Sequence, residues 1–425
     1  MTKAVQRAIQ SGPEDSQVID GAMSDSWEYA DADTQHLTHN IHRYSGKFIP
    51  QIAGRAISLL TAPGEFVVDP YCGSGTTLVE CVLLGRKALG MDLSPLATLI
   101  ARTKVTPMSA QDLNSLQREL DLALAPLNSD EDMPLFRDSF KRAAFNPEML
   151  DDQLSNDEWF SKWFQPKILG ELIAIDRAIR KIKDIRKQDI ARVAFSDILR
   201  KSSNAHSGYP NVMFDKNAPE RSSPVKPFLK ALVRVCEMVA SLGKTNARWQ
   251  DVRVEQGCAT ELPLDDCSVD AIVSHPPYIG SIPYAEYGAL SLKWLGADPK
   301  KLDKELTGGR RQSPNVVERF QEGYGRMLIE ASRVLRPGRH AFVMVGNPVV
   351  RGKIVDLATM TIDLAQRSGF RLVVRTQRTG VNRRANKMGT EHLLFFRKPA
   401  QTLRTGPRSE HSRTTSELSQ VRAPQ

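Results

Sequence analysis

The sequence predicts an α/β fold built on a parallel sheet, with a mostly helical domain inserted into it. An apolar run at residues 65–68 is followed by a glycine-rich string, Asp69–Thr77, and by a helix-like run at 78–84. A second apolar run at 269–273 ends in Ser274–Tyr278, which reads SHPPY. Ligands of open α/β sheets bind beyond the carboxyl ends of the strands, so we expect the two loops to face one site.

The chain before the glycine-rich string is predicted to be a polar arm followed by one helix. Residues 1–35 are polar and acidic without a sustained period, and we expect a loose N-terminal arm. Apolar residues recur at helical spacing from 49 to 60, where Pro50 is tolerated in the first turn. A second strand at 87–91 ends at Asp92 and completes a βαβ start.

Residues 106–250 break this pattern, and we predict a helical basic insertion there. Polar helices are expected at 110–124 and 169–180. The whole chain has 58 basic and 49 acidic residues, a net charge of +9. The segment 165–250 alone has 17 basic and 8 acidic residues, which is also +9. Such an excess favours a polyanionic partner, although a solvated helical surface has a similar composition.

The α/β pattern returns after the insertion. We therefore assign 36–105 and 251–398 to one domain and predict a disordered tail at 399–425, which is polar and poor in large apolar residues. Strands are predicted at 252–255, 269–273, 340–345, 370–374 and 392–396, and helices at 317–335 and 355–367.

Cysteine usage and hydropathy exclude several classes of protein. The five cysteines form no C-x-x-C pair, which argues against a zinc knuckle or a disulfide framework, and we predict no metal site. No apolar run reaches the roughly 18 residues of a membrane span. The first residues lack the apolar core of a signal peptide. We expect a cytoplasmic protein with no membrane partner.

The glycine-rich string has the chemistry of a cofactor loop. Gly73 and Gly75 allow the backbone to approach a ligand closely. Thr76 or Thr77 is expected to cap the following helix. Asp92, at the end of the next strand, is placed to accept hydrogen bonds from ribose hydroxyls. The string lacks Gly-Lys-Ser/Thr, which argues against a phosphate-binding P-loop.

The string DPYCGSGTT resembles the cofactor motif of the amino-group DNA methyltransferases, the N4-cytosine and N6-adenine enzymes. IVSHPPYIGSIPYAEYGALSLKWLG and LIEASRVLRPGRHAFVMVGN are similar throughout to the N4-cytosine type. The segment 39–57 is similar to the family motif H-x-Y-x-A-K-F-x-P. The resemblance covers 39–92 and 252–398, about half of the chain, and the insertion occupies the position of the family's target-recognition region.

The resemblance implies a Rossmann-like sheet of seven strands that closes with an antiparallel hairpin, S-adenosylmethionine as cofactor and double-stranded DNA as partner. A cognate restriction endonuclease and the oligomeric state are left open. Together, the resemblance and the loop chemistry give as cofactor-binding residues Lys47, Phe48, Pro50, Asp69, Cys72, Gly73, Gly75, Thr76, Thr77 and Asp92.

The catalytic residues are predicted to be His275, Pro276, Pro277 and Tyr278. The two prolines hold the chain extended and leave the Pro276 carbonyl free to face a ligand. That carbonyl and the side chain at 275 would accept hydrogen bonds from an exocyclic amine and turn its lone pair toward the sulfonium methyl. Tyr278 offers a face on which an extruded base would stack. Direct transfer of this kind needs no metal.

Two positions depart from the family pattern. Family members have Asp, Asn or Ser before Pro-Pro-Tyr, whereas this chain has His275. A neutral imidazole still accepts a hydrogen bond and can take up the released proton. The family often has Gly-Asp-Ala after the third strand, where this chain has Gly257-Cys258-Ala259. We therefore leave Cys258 out of the predicted cofactor site.

The predicted function is sequence-specific DNA methylation at cytosine N4, with adenine N6 as the alternative base. Methylation of a guanine amino group in transfer RNA is a second alternative, because such enzymes share the Asp-Pro-x-Cys-Gly loop and a Pro-Pro-Tyr turn. A catalytically dead nucleic-acid-binding protein is a third, and His275 is the residue that favours it. The intact glycine loop and Asp92 count against a pure binder.

Overall fold

The structure is a computed structural model. It describes residues 13–128, 157–209, 211–245, 251–280, 282–308, 315–379 and 389–400. The strands are β1 (Phe66–Asp69), β2 (Lys87–Asp92), β3 (Val252–Gln256), β4 (Val269–Ser274), β5 (Leu335–Gly346), β6 (Val349–Val350), β7 (Lys353–Ile354), β8 (Arg371–Thr379) and β9 (Thr390–Arg397).

Helices surround these strands. They are α1 (Ser16–Met23), α2 (Pro50–Leu60), α3 (Thr76–Leu83), α4 (Pro95–Val105), α5 (Ala110–Asn128), α6 (Glu158–Trp163), α7 (Pro166–Lys181), α8 (Ile185–Ser202), α9 (Val225–Gly243), α10 (Tyr284–Tyr287), α11 (Ala289–Trp294), α12 (Pro299–Glu305), α13 (Val316–Val334) and α14 (Leu357–Arg367). Of the helices that the structure describes, none has both the length and the hydropathy that crossing a bilayer requires.

Seven strands form one sheet in the order β3-β2-β1-β4-β5-β9-β8. The strands from β3 to β5 pair in parallel, and β9 pairs antiparallel with both β5 and β8. The predicted Rossmann-like α/β sheet with an antiparallel closing hairpin is confirmed. Because the chain leaves β1 toward β2 on one side and reaches β4 on the other, the switch point lies between β1 and β4. The glycine-rich loop follows β1 and the SHPPY segment ends β4, so both lie at this point.

The expectation of a loose N-terminal arm is wrong for residues 13–35. Val18, Ala22 and Trp27 are buried against the sheet layer. Asp15 is fully buried, forms an ion pair with Arg371 and accepts a hydrogen bond of 3.1 Å from His340. These pairs tie the arm to the closing strands of the sheet.

The helices of the predicted insertion share one apolar core with elements outside it. Phe195 of α8 and Phe228 of α9 pack in the same cluster as Ile100 of α4 and Trp294 of α11. The Nε2 of His42 is 2.9 Å from the hydroxyl of Ser196, which lies 2.7 Å from the Ser291 hydroxyl. The helical layer therefore packs on the chain that follows the SHPPY segment. Residues 1–12 of the predicted arm, 129–156 and 246–250 of the predicted insertion, and 401–425 of the predicted tail lie outside the described residues.

Candidate active site at the carboxyl ends of the parallel strands

A cleft opens at the switch point, at the ends of β1, β2 and β4. The glycine-rich loop forms one wall, and the SHPPY segment with residues 305–308 forms another. The two loops that the sequence singled out thus border the same space.

Backbone conformation shapes the glycine-rich loop. Gly73 and Gly75 have φ of +50° and +79°, a region that side chains disfavour. A Cβ on Gly75 would lie 2.8 Å from the Cβ of Ala101 in α4, so this glycine also permits close packing. Gly75 is the N-cap of α3, and no side chain caps that helix. The prediction that Thr76 or Thr77 caps α3 is wrong, because the Thr77 hydroxyl donates to Asp69 instead.

Asp92 holds the loop from the next strand. Its Oδ2 accepts a hydrogen bond of 3.0 Å from the Gly73 amide, and its Oδ1 accepts one of 2.8 Å from the Ser94 amide. Burial raises the pKa of Asp92 to about 6, while the two backbone hydrogen bonds oppose the shift. Each carboxylate oxygen keeps a further lone pair for a ligand hydroxyl.

Asp69 connects the two loops. Its Oδ2 accepts a hydrogen bond of 2.6 Å from the Thr77 hydroxyl at the start of α3. Its Oδ1 accepts one of 2.7 Å from the hydroxyl of Ser274. Ser274 directly precedes His275 in the chain. Burial raises the pKa of Asp69 to about 6, and the hydrogen bonds from Thr77 and Ser274 lower it. The position of the SHPPY segment is therefore tied to the loop that follows β1.

His275 lies at the edge of the cleft, against the ring of Phe48 at a centroid distance of 5.2 Å. Its Nε2 is 2.8 Å from the hydroxyl of Tyr278. Burial, with a smaller contribution from Arg378, lowers the pKa of His275 to about 4. The imidazole is therefore neutral at pH 7 and can accept a proton or a hydrogen bond.

Tyr278 points away from the cleft. Its side chain is buried, and its hydroxyl donates 3.3 Å to Glu391 of β9. A Cβ on Gly346 would lie 3.1 Å from the tyrosine ring, so the ring packs directly on the end of β5. The ring face is not accessible to an extruded base in this structure, which corrects the stacking role expected for Tyr278.

The remaining predicted residues divide into two groups. Those that line the cleft are Lys47, Phe48, Asp69, Cys72, Gly73, Thr76, Thr77, Asp92, His275 and Pro277. Pro50, Gly75, Pro276 and Tyr278 are not among the lining residues. Pro50 starts α2 and is buried, and Pro276 is buried just after the end of β4. These four residues contribute through backbone geometry and packing.

Several lining residues were missed from the sequence. The rings of Tyr44 and Tyr284 stack with their centroids 6.0 Å apart, and both line the cleft. Cys258, which we had left out, also lines it, and Thr307 and Gly308 close it beside Pro277. Tyr44 stands inside the H-x-Y-x-A-K-F-x-P match, so that motif carried a usable signal. Cys258 stands in the Gly-Cys-Ala string and Tyr284 in the string similar to the N4-cytosine type, whereas Thr307 and Gly308 lie outside every motif.

A buried lysine lies under the glycine-rich loop. The Nζ of Lys104 in α4 donates 3.3 Å to the Ser74 hydroxyl, and burial lowers the pKa of Lys104 well below its usual range. Lys47 donates 2.8 Å to the carbonyl of His39, and burial lowers its pKa to about 8. Both amines act here as hydrogen-bond donors to the protein.

Sequence comparison also finds similarity to methyltransferases. A family model described as DNA methylase matches residues 2–102. The chain is 24% identical to the type II methyltransferase M.MjaII of Methanocaldococcus jannaschii, over 82% of this chain and 78% of that protein. It is 22% identical to M.MvaI of Kocuria varians, over 78% and 81%. It is 34% identical to a tRNA (guanine(10)-N2)-dimethyltransferase of M. jannaschii, over 16% of this chain and 18% of that protein.

These similarities support the predicted likeness to the amino-group DNA methyltransferases, with S-adenosylmethionine as the cofactor. The residues present fit that cofactor. The cleft offers a carboxylate at the end of β2, glycines whose backbone borders the space, and aromatic side chains for an apolar moiety.

Proposed function

We propose that this protein transfers a methyl group from S-adenosylmethionine to the N4 amino group of cytosine in double-stranded DNA, at a specific sequence. The observation that carries the proposal is the single cleft between the glycine-rich loop and SHPPY, in which Asp69 is hydrogen-bonded to both loops. The similarity of the SHPPY region to the N4-cytosine type supports cytosine over adenine.

S-adenosylmethionine supplies an electrophilic methyl group on a sulfonium. Asp92 accepts hydrogen bonds from the ribose hydroxyls, for which its two oxygens retain lone pairs. Lys47 and Phe48 border the opposite wall, and the Gly73 segment keeps backbone close to the ligand. This chain thus binds and orients the cofactor with side chains from β2 and from the loop before α2.

The target amine enters from the side of His275. The imidazole of His275, which lines the cleft, accepts a hydrogen bond from one of its N–H groups and leaves its lone pair free. As the new N–C bond formed, the bond between the methyl carbon and the sulfonium sulfur would break with its electron pair left on sulfur, and the amine nitrogen would lose one proton to the imidazole. A base with a pKa of about 4 suffices, because the methylated ring amine is a strong acid.

DNA is expected to approach along a second cleft beside the first. The two share Tyr44, Ser94 and Tyr284. The second cleft is lined by four cationic side chains and a further aromatic ring, namely Arg43, Arg200, Lys201, Arg221 and Tyr287. Cations interleaved with aromatic rings are the usual means of holding a nucleic-acid backbone beside unstacked bases. This supports a nucleotide strand that enters toward His275.

The test is to incubate duplex DNA with the protein and S-adenosylmethionine, digest it to nucleosides and identify the product by mass spectrometry. We expect N4-methylcytosine. Detection of N6-methyladenine instead would show that the target base is adenine and not cytosine. Methylation of transfer RNA alone, or no methylated nucleoside while duplex DNA is bound, would reject the proposed function.

A further inference from the structure

Behind the active-site cleft, a continuous chain of polar side chains runs from His275 to the far edge of the sheet. The His275 Nε2 lies 2.8 Å from the Tyr278 hydroxyl, which donates 3.3 Å to Oε1 of Glu391. Oε2 of Glu391 accepts 3.0 Å from the guanidinium of Arg378. Only His275 touches the cleft, and the other three side chains lie beneath it.

The structure holds this chain rigidly. Tyr278, Glu391 and Arg378 are 5%, 7% and 6% exposed. The Tyr278 ring packs on Gly346, which is paired with Glu391 in the antiparallel ladder, and Glu391 is also paired with Arg378. A second guanidinium nitrogen of Arg378 donates 3.0 Å to the carbonyl of Glu28. The N-terminal segment therefore fixes the outer end of the chain.

The direction of each hydrogen bond follows from the donors available. Arg378 has no acceptor and stays charged, so Glu391 beside it acts as a carboxylate that only accepts. The Tyr278 hydroxyl must then be the donor in its hydrogen bond to Glu391. Its oxygen is left to accept from His275, which requires a proton on Nε2 of the imidazole.

Resting on the proposed function, we propose that Glu391, acting through Tyr278, holds His275 as the Nε2-protonated tautomer and thereby leaves a lone pair on Nδ1 for the amine proton. Tyr278 and Glu391 are positioning residues, and His275 is the catalytic one. The family's Asp, Asn or Ser needs no such device, because an oxygen atom accepts in any protonation state available at neutral pH. A histidine accepts only on the nitrogen that lacks a proton.

Burial changes the pKa values of both Glu391 and Tyr278. Burial raises the pKa of Glu391, and the charge of Arg378 opposes the shift. Burial also raises the pKa of Tyr278 well above its usual range, so its hydroxyl keeps its proton and remains a donor. The transferred proton goes to Nδ1 and then to water in the cleft, while Tyr278 and Glu391 keep their own protonation states.

Nitrogen NMR of the full-length protein labelled with ¹⁵N in histidine tests the tautomer directly, because a protonated and an unprotonated ring nitrogen differ widely in chemical shift. His275→Asn identifies the resonances of His275. At pH 7 we expect Nε2 protonated and Nδ1 bare, and a mixture of tautomers in Tyr278→Phe and Glu391→Gln. A bare Nε2 in the wild type would overturn the inference whether or not the protein methylates DNA.

A double-mutant cycle then tests the catalytic consequence, with single-turnover methylation and cofactor affinity as readouts. Tyr278→Phe should lower the rate about 10- to 100-fold, as expected for a misplaced reacting group, with unchanged cofactor affinity. In a His275→Asn background, which carries an acceptor of the family type, the same change should have no effect. Equal losses in both backgrounds would show a merely structural tyrosine and overturn the inference.

Tyr324→Phe is the matched control, since Tyr324 is fully buried in α13 and does not line the cleft. Its rate should equal that of the wild type. If the wild type methylates no nucleic acid, the proposed function fails, and the NMR result still decides the tautomer.

Discussion

The glycine-rich loop and the SHPPY segment border the same cleft but are held in different ways. The first is fixed by neighbours in sequence, since Asp92 binds the amide of Gly73 only 19 residues before it. The second depends on distant partners: Ser274 is bonded to Asp69 across 205 residues and Tyr278 to Glu391 across 113. A local motif thus builds the cofactor side, and the folded sheet builds the substrate side.

This difference assigns different failures to the two loops. Changes in the glycine-rich loop should remove cofactor binding, and changes around His275 should remove transfer while the cofactor still binds.

Gly75→Val should have the largest effect. The new Cβ would lie 2.8 Å from Ala101, and φ of +79° is strained for valine. Overpacking and backbone strain together predict a loss of about 2–6 kcal/mol in the free energy of unfolding, with loss of cofactor binding. Chemical denaturation and calorimetry measure both quantities.

Gly64→Val is the matched control for Gly75→Val, because Gly64 has φ of +86° but its Cβ would meet open space. It should cost only the strain, about 1–3 kcal/mol, with cofactor affinity unchanged. Equal effects of the two variants would show that contact with α4 has no part in shaping the loop.

Asp92→Ala should weaken S-adenosylmethionine binding by about 1.5–3 kcal/mol, the value of hydrogen bonds to a charged group. Isothermal calorimetry gives the affinity. Asp265→Ala, an exposed carboxylate outside the cleft, is the control and should bind normally. Unchanged affinity in Asp92→Ala would place the ribose elsewhere in the cleft.

Cofactor affinity should also depend on pH through Asp92. Burial raises the pKa of Asp92 to about 6. The ionised carboxylate can accept hydrogen bonds from both ribose hydroxyls, whereas the protonated carboxyl group must lose its proton before it can do so. We expect the dissociation constant to be flat above pH 7 and to rise up to about tenfold per pH unit below 6. Asp92→Asn should remove this dependence, and a slope that persists in this variant would assign it to another group.

The pH dependence of transfer is expected to differ from that of binding. An enzyme that relies on an unperturbed histidine would lose activity as the pH falls through about 6.5. Because burial and Arg378 lower the pKa of His275 to about 4, its neutral form persists to much lower pH. With cofactor saturating, single-turnover rates should stay level from pH 8 to pH 6. A fall centred near 6.5 would contradict the burial of His275.

The smallest effects concern DNA affinity. Arg43 and Lys201 are exposed at the second cleft, and replacing either by Ala should reduce the salt slope of duplex binding by about 1. Arg186, in the same basic segment, is paired with Asp184 at 2.7 Å, so Arg186→Ala should change the slope less. Anisotropy titrations across a salt series measure this, and equal slopes for all three variants would move DNA off this cleft.

The sequence predicted what local pattern determines. The strands of the sheet, α2, α3 and the pairing of two loops at one site follow from apolar periodicity and turn residues. The burial of residues 13–35 was not predictable, because Asp15 finds its partners His340 and Arg371 more than 300 residues later. The sequence predicted Tyr278 to face the cleft. No sequence pattern shows that Gly346, 68 residues later, leaves the space in which the tyrosine ring packs.

One paired measurement tests the central claim most directly: cofactor affinity and single-turnover methylation of duplex DNA, in Asp92→Ala and His275→Leu side by side. We expect Asp92→Ala to lose affinity and to recover much of its transfer at high cofactor concentration. His275→Leu should bind cofactor normally and fail to transfer at any concentration, while His275→Ser stays active. If His275→Leu methylates as well as the wild type, or loses cofactor binding as Asp92→Ala does, the division of work between the two loops is wrong.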